Sequence, residues 1–331
     1  MFSQQLCYPN NYKLAYANFK YVLKSFIDMT SFYYSQSWKQ FYNITDNWVY
    51  YKDYIPIKGF FLKSLRNANI SFSIVDKEYD LLEPILHNNS YRLSVDIQDC
   101  PEEIREKLEK NGFKIREWGT YIIDLTKSEE ELWSNIKKET RKIIKKTADL
   151  GCSFSICSSE KEYREYYDLF KKSRKDMNFT TQPYRIFKRQ WDILHPKNYD
   201  VFIVRTKDGE LLAGMGVVYT SDFMREIGAA RSHEMSDVKA YPNDLLKWDI
   251  MKWGHNCGIK YYDLAGINPN PEIGSKDENI KKFKEKWGGQ YYNWLFFEKT
   301  RKDSLSKKIF SGLENVYRRT HEKKHETKHS K

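Results

Sequence analysis

The stretch from Lys239 to Gly289, KAYPNDLLKWDIMKWGHNCGIKYYDLAGINPNPEIGSKDENIKKFKEKWGG, restricts the fold more than any other part of the chain. Asn243 and Asp244 after Pro242 are helix-start residue types, and Leu245, Trp248, Ile250 and Met251 follow at helical spacing. Gly258 stands where a left-handed residue ends a helix. Lys260–Ala265 is short, aromatic and apolar, which predicts a buried strand ending at Gly266. A loop with Pro269, Pro271 and Gly274 follows. Residues 277–287 return to helix with Ile280, Phe283 and Trp287 on one side, and 291–298 read as strand. Helix, central strand, loop, helix and strand form the end of a mixed α/β domain.

The same order of reasoning extends upstream. Ser128 and Glu131 make a capping box, and Leu132, Ile136, Ile143 and Thr147 share one face of a single helix that Gly151 ends. The other face carries Lys137, Lys138, Arg141, Lys142, Lys145 and Lys146, a solvated face or a track for phosphates and RNA. Helices are predicted over 160–175 and 183–194. Strands at 200–206 and 211–220 flank the turn Lys207-Asp208-Gly209-Glu210, with a third strand at 223–230. Before residue 126 the signals are weaker. Strands are expected at 48–51, 70–75, 91–96 and 121–125, with helices at 57–68 and 101–111, the second bounded by Pro101 and Gly112. Helices at 12–26 and 303–320 are also predicted, and no heptad segment occurs.

Length and charge narrow the function. The 331 residues suit two domains. Residues 299–331 hold eleven Lys and Arg against four acids, so most of the formal +11 lies there and the main body is only mildly basic. Five cysteines with no CxxC pair argue against a disulfide framework or a zinc ribbon. His321, His325 and His329 recur every four residues without carboxylates or thiols to complete a metal shell, so no metal is expected. With no secretory signal and no apolar run of membrane-spanning length, the chain reads as cytoplasmic.

"YYDLAGINP" followed by "IKKFKEKWGGQ" resembles the strand–loop–helix signature of the FemAB-like branch of the GNAT acyltransferase superfamily. "YIIDLTKSEEELWSNIKKETRKIIKKTADLGC" and "GFKIREWGTYIIDL" resemble the entry to that family's second domain, and the likeness spans about residues 31–299. The resemblance implies two GNAT-like domains, each a mixed, mostly antiparallel sheet flanked by helices, without the coiled-coil arm of some members. The divisions are an extension at 1–30, a first domain at 31–125, a second with the transfer site at 126–320, and a basic tail at 321–331. It implies an acyltransferase in peptidoglycan-type cell-wall synthesis that moves an amino acid from charged tRNA onto the peptide amine of a nucleotide- or lipid-linked precursor. Two alternatives stand beside it: acetyl-CoA-dependent N-acetylation of a sugar or polysaccharide intermediate, and an inactive scaffold that binds RNA or anionic lipid. No bound cofactor and no stable protein partner are expected, although the basic tail suits contact with an anionic membrane.

The resemblance also marks residues. Lys284, in "FKEKWGG", lines the transfer site, and Arg174 in "KKSRKDMNF" takes the place of a basic residue on the precursor's phosphates. Asp263 is the candidate proton acceptor or amine-orienting group, the alternative being a buried carboxylate satisfied by a helix N-terminus. Arg231 and Asn243 flank the central helix start and, with Gly266, are candidate substrate-binding residues, while the charge pattern of the basic helix face makes Lys138, Arg141, Lys142 and Lys145 the candidate tRNA or phosphate contacts. Acetyl-CoA enzymes carry a glycine-rich pyrophosphate loop at the start of the central helix. Here "RSHEMSDVKAYPNDLL" has no glycine and places Asp244 in the first turn, which disfavours an anion there and favours aminoacyl-tRNA.

Overall fold

The computed structural model describes residues 32–44, 48–53, 66–176, 181–232 and 240–300. The helices expected at 12–26 and 303–320 and the basic tail lie outside the described residues, as does most of that at 57–68, whose final residues open a strand instead.

The chain begins with a 3-10 turn at Phe32–Tyr34 and helix α1 (Gln36–Tyr42), opened by Ser35, whose hydroxyl accepts the Trp38 N–H. Then come β1 (Tyr50–Asp53), β2 (Arg66–Phe72), α2 (Glu83–Leu86), β3 (Arg92–Gln98), α3 (Glu102–Lys110) and β4 (Lys114–Asp124). The second part runs α4 (Glu129–Asn135), α5 (Lys138–Asp149), β5 (Ser153–Ile156), α6 (Glu160–Asp176) and α7 (Tyr184–Leu194). Strands β6 (Tyr199–Arg205), β7 (Leu211–Tyr219) and β8 (Phe223–Arg231) form a meander before α8 (Pro242–Asn256), β9 (Tyr261–Ile267), α9 (Lys276–Glu285) and β10 (Gln290–Thr300).

All ten strands join in one sheet, β1-β2-β3-β10-β4-β9-β8-β7-β6-β5. Neighbours are antiparallel except β2–β3 and β8–β9, which are parallel. The mixed, mostly antiparallel α/β class is as expected, and no coiled-coil arm occurs among the described residues. The two sheets expected of separate domains are joined because β10 inserts between β3 and β4, pairing along its length with both.

Three apolar clusters hold the layers. Helices α5 and α8 cover one face of the second part, with Ile144, Leu246, Ile250 and Met251 against Phe202, Val204 and Leu264. Helices α6 and α7 cover the other, where Tyr163, Tyr166 and Trp191 meet Val201 and Ile203 and are joined by Phe32, Trp38 and Phe41 from the first part. With both faces covered, Tyr199–Val204 is buried at every position rather than alternately, as a central strand should be. A third cluster packs α2 and α3 on β2, β3 and β10.

Two local expectations need correction. The capping box at Ser128 and Glu131 is formed, but the helix it opens ends at Asn135 and a new one starts at Lys138. Ile136 is extended (φ −70°, ψ 137°), and the Lys137 N–H leaves the helix to bond the Lys286 carbonyl at 2.9 Å. The buried stripe is therefore Leu132, Ile136, Thr140, Ile144 and Thr147, with Ile143 only half-buried. Strand β5 was not expected at all; it is a four-residue edge strand paired with β6, too short to show a period.

Candidate active site

Strands β8 and β9 pair over only three positions, Phe223–Tyr261, Met224–Tyr262 and Arg225–Asp263. Beyond that β9 runs with β4, where Thr120 faces Gly266 and Gly119 faces Ile267. Strand β8 has a bulge that leaves Ile227 without a partner on β7, and Ala265 in β9 has φ +61°. Bulges turn backbone groups out of a ladder, so the parting strands leave a gap between them.

Lys284 reaches the end of that gap from α9. Its Nζ donates to the Ala265 carbonyl at 3.0 Å and the Gly266 carbonyl at 2.9 Å. Burial, the largest influence, lowers its pKa to about 8; among nearby charges Glu226 and Asp263 push it up, Lys247 and Arg225 down. An ammonium has three N–H groups, so one remains beyond the two carbonyls.

Each side of the gap carries a buried ion pair. On the α8 side Lys247, 2 % exposed, meets Glu226, which also accepts from the Tyr262 hydroxyl at 2.6 Å. The Lys247 Nζ lies 5.5 Å from the Phe283 ring and 5.8 Å from that of Trp287, the residues flanking Lys284's own turn. On the opposite side Arg225 lies 3.6 Å from Asp263, stacks 3.7 Å over the Trp294 ring and donates to the Tyr33 hydroxyl. Asp263 is wholly buried and accepts from Gln98 Nε2 at 2.6 Å, the Ala265 N–H at 2.8 Å and Thr120 Oγ1. Its partners are Arg225 of β8, side chains of the first part and the Ala265 N–H of its own strand, not the helix N-terminus considered as the alternative.

The first turn of α8 is closed from inside. Asp244, 2 % exposed, receives Lys286 Nζ at 2.7 and 2.8 Å. Burial raises the Asp244 pKa and lowers that of Lys286, so in both partners loss of water outweighs their attraction. Of the other residues singled out from sequence, Gly266 belongs to the gap: Lys284 holds its carbonyl and the Trp118 indole lies against it, leaving no room for a Cβ. Asn243 is half-buried in the α8 turn, and Arg231 is exposed where β8 ends. Arg174, at the end of α6, lies 5.8 Å from the Phe170 ring, with burial lowering its pKa.

The cationic face divides. Lys138, Lys142 and Lys145 are exposed; Lys142 pairs with Glu139 at 3.1 Å and Lys145 lies 5.9 Å from the Trp133 ring. Arg141 instead donates to the carbonyls of Trp133, Ser134 and Ile136 at 3.2, 2.6 and 3.0 Å, closing the end of α4. Among the described residues no group of His, Cys, Asp and Glu could hold a metal ion, and no helix is long and apolar enough to cross a membrane. Glu226, Lys247, Arg225, Gln98 and Thr120 were not anticipated. For the charged ones the signal in sequence is a charge inside an apolar run, as with Lys247 between Leu246 and Trp248; Gln98 and Thr120 carry none.

Residues 134–282 match the family described as "Acetyltransferase (GNAT) domain". No curated protein matches the sequence. Among solved structures, FemX is similar at 16% identity and TM-score 0.60, over 79% of this chain and 86% of that one. L-PGS from Bacillus licheniformis is similar at 13% identity and TM-score 0.51, over 77% and 81%. The chain thus carries a match to a GNAT acetyltransferase domain over residues 134–282, and its fold is similar to that of FemX.

Proposed function

We propose that the protein transfers an aminoacyl group from charged tRNA to the peptide amine of a cell-wall precursor, in the gap between β8 and β9. The observation that carries the choice of donor is Asp244. A helix start that binds a pyrophosphate offers free N–H groups and a positive field; here a buried carboxylate and its own lysine occupy the first turn. In the reaction the acceptor nitrogen attacks the ester carbonyl carbon, the new C–N bond forms, and the C–O bond to the ribose breaks. The proton given up by the amine ends on the departing ribose oxygen. Lys284 contributes its third N–H to the oxyanion, where a preorganised donor acts most strongly. Asp263 and Arg225 hold the β9 end in position, and the exposed lysines of α5 suit the phosphates of tRNA.

The family description favours a second reading, N-acetylation from acetyl-CoA. Incubating the protein with radiolabelled charged-tRNA pools and, separately, with labelled acetyl-CoA, each with peptide-bearing precursor, separates the two. Label transferred from tRNA alone supports the proposal; transfer from acetyl-CoA alone overturns it.

A further inference from the structure

We propose that the acceptor reaches the gap from the face of the sheet opposite Lys284, along a ledge formed by Arg116, Trp118 and Phe296, and that Arg116 binds a free carboxylate on it. This rests on the proposed transfer in the gap and deepens it by naming the acceptor's class, an amine-bearing peptide with an unblocked carboxylate. Strand register assigns the faces. Lys284 belongs to the α9 side, where Tyr121 of β4 donates to Glu285 at 2.8 Å. Side chains alternate along a strand, so Arg116, Trp118 and Thr120 lie on the other side with Ile122, which packs in the α6–α7 layer. Arg116 pairs across the sheet with Phe296, and Trp118 with Trp294. The Arg116 guanidinium lies 4.9 Å from the Phe296 ring and 5.6 Å from that of Trp118, and the Phe296 and Trp294 rings stack at 5.2 Å. Trp118 in turn covers Gly266 at the gap.

Three features point to an anion carried on an extended chain. Arg116 is exposed, and among the described residues its guanidinium meets rings and pairs with no carboxylate, so its N–H fork is free. Trp118 and Phe296 are half-buried and give a peptide an apolar floor. At the mouth of the gap Arg225 donates from Nη1 to the Tyr33 hydroxyl and sets Nε 3.6 Å from Asp263. Its Nη2 has no partner among the described residues and can donate to a backbone carbonyl of the acceptor. Charge limits the anion. The next residue outward on this face of β10 is Glu298, paired with Arg92 at 3.8 Å, so the ledge has one unmatched cation. A lone guanidinium suits one carboxylate, which it grips through two N–H groups, better than a diphosphate. Arg116 stands four residues from Thr120, the partner of Gly266, a span of about 13 Å along the strand. The carboxylate and the attacking amine of the acceptor are therefore about that far apart.

The test is isothermal titration calorimetry of the full chain with a ruler of peptides, N-acetyl-lysine extended by zero to four glycines, each as free acid and as carboxamide. Two extended glycines add about 7 Å beyond the lysine side chain. The acid with two or three glycines should therefore bind best, and about tenfold more tightly than its amide. Arg116→Gln, at an exposed position, should bring acid and amide to the same affinity with an unchanged circular dichroism spectrum. Equal binding of acid and amide by the parent, a preference that survives Arg116→Gln, the lack of a length optimum, or no binding of any peptide overturns the proposal. So does Arg116-dependent binding of uridine diphosphate tighter than that of the best acid, which would make the ledge a nucleotide site. The calorimetry needs no acyl donor. If the acid preference holds and no donor transfers label to the bound peptide, the transfer reading fails and the ledge stands. If label is transferred with the same KM for the peptide in Arg116→Gln as in the parent, the ledge fails and transfer stands.

Discussion

At Lys284 two costs meet: an ammonium taken largely out of water, and two strand-end carbonyls that would lose a donor without it. Lys284→Met should lower single-turnover transfer roughly 10- to 1000-fold, by comparison with the loss of single oxyanion donors. Lys282→Met, removing an exposed lysine paired with Glu278 at 2.7 Å, should not. Stability of the Lys284 variant should stay within about 1 kcal/mol of the parent, as relief of the buried charge offsets the lost hydrogen bonds. The pH dependence has a definite sign. Since the ammonium is the working form, transfer should decline as pH rises through about 8. The unfolded chain holds this proton up to its ordinary range near 10.5, so Lys284 adds stability as pH rises between those values, and the Met variant should lack that slope in urea titrations. Lys284 was legible in the sequence because it sits in a strand–loop–helix pattern with a family likeness. Glu226 and Lys247 were not, because a lone charge in a strand or helix reads as exposed until its partner, 21 residues away, is brought against it.

Among the elements, α8 and the α4–α5 corner carry the clearest consequences. Lys286→Met strands Asp244 in the first turn of α8 and should cost about 3–5 kcal/mol by chemical denaturation. Asp244→Asn together with Lys286→Met removes both charges and should recover most of that loss. The α5 lysines behave differently because water already surrounds them. Reversing Lys138, Lys142 and Lys145 to Glu should weaken tRNA binding and leave the melting temperature nearly unchanged; equal affinity at low salt would make this face merely solvated. Arg141, although its spacing puts it among these cations, is expected to act on stability, since it holds three carbonyls at the end of α4. Most elements were legible from caps, glycine stops and periodic apolar residues. The break at Ile136 was not, because the bond that makes it, from Lys137 to the Lys286 carbonyl, joins residues far apart in sequence.

For the whole molecule, β10 decides whether the two parts behave as one. Trp294, Leu295 and Phe297 are buried along it, and its register runs from Trp294 opposite Gln98 to Thr300 opposite Arg92 on one side and from Gln290 to Glu298 along β4 on the other. Phe297→Ala should cost about 3–5 kcal/mol, and tryptophan fluorescence and far-ultraviolet circular dichroism should still follow a single, earlier transition. Separate transitions would mean that the two parts unfold independently. Sequence alone read β10 as a strand at the end of the second domain; its place between β3 and β4 is a matter of topology that no local pattern encodes. That placement also bears on synthesis. While the chain is emerging from the ribosome, β3 and β4 have no common neighbour until residues 290–300 have been made. Until then each presents an open edge, the kind of surface that recruits chaperones or other strands. A chain ending before β10 would lack the strand that joins β3 to β4 and would leave both of those edges open.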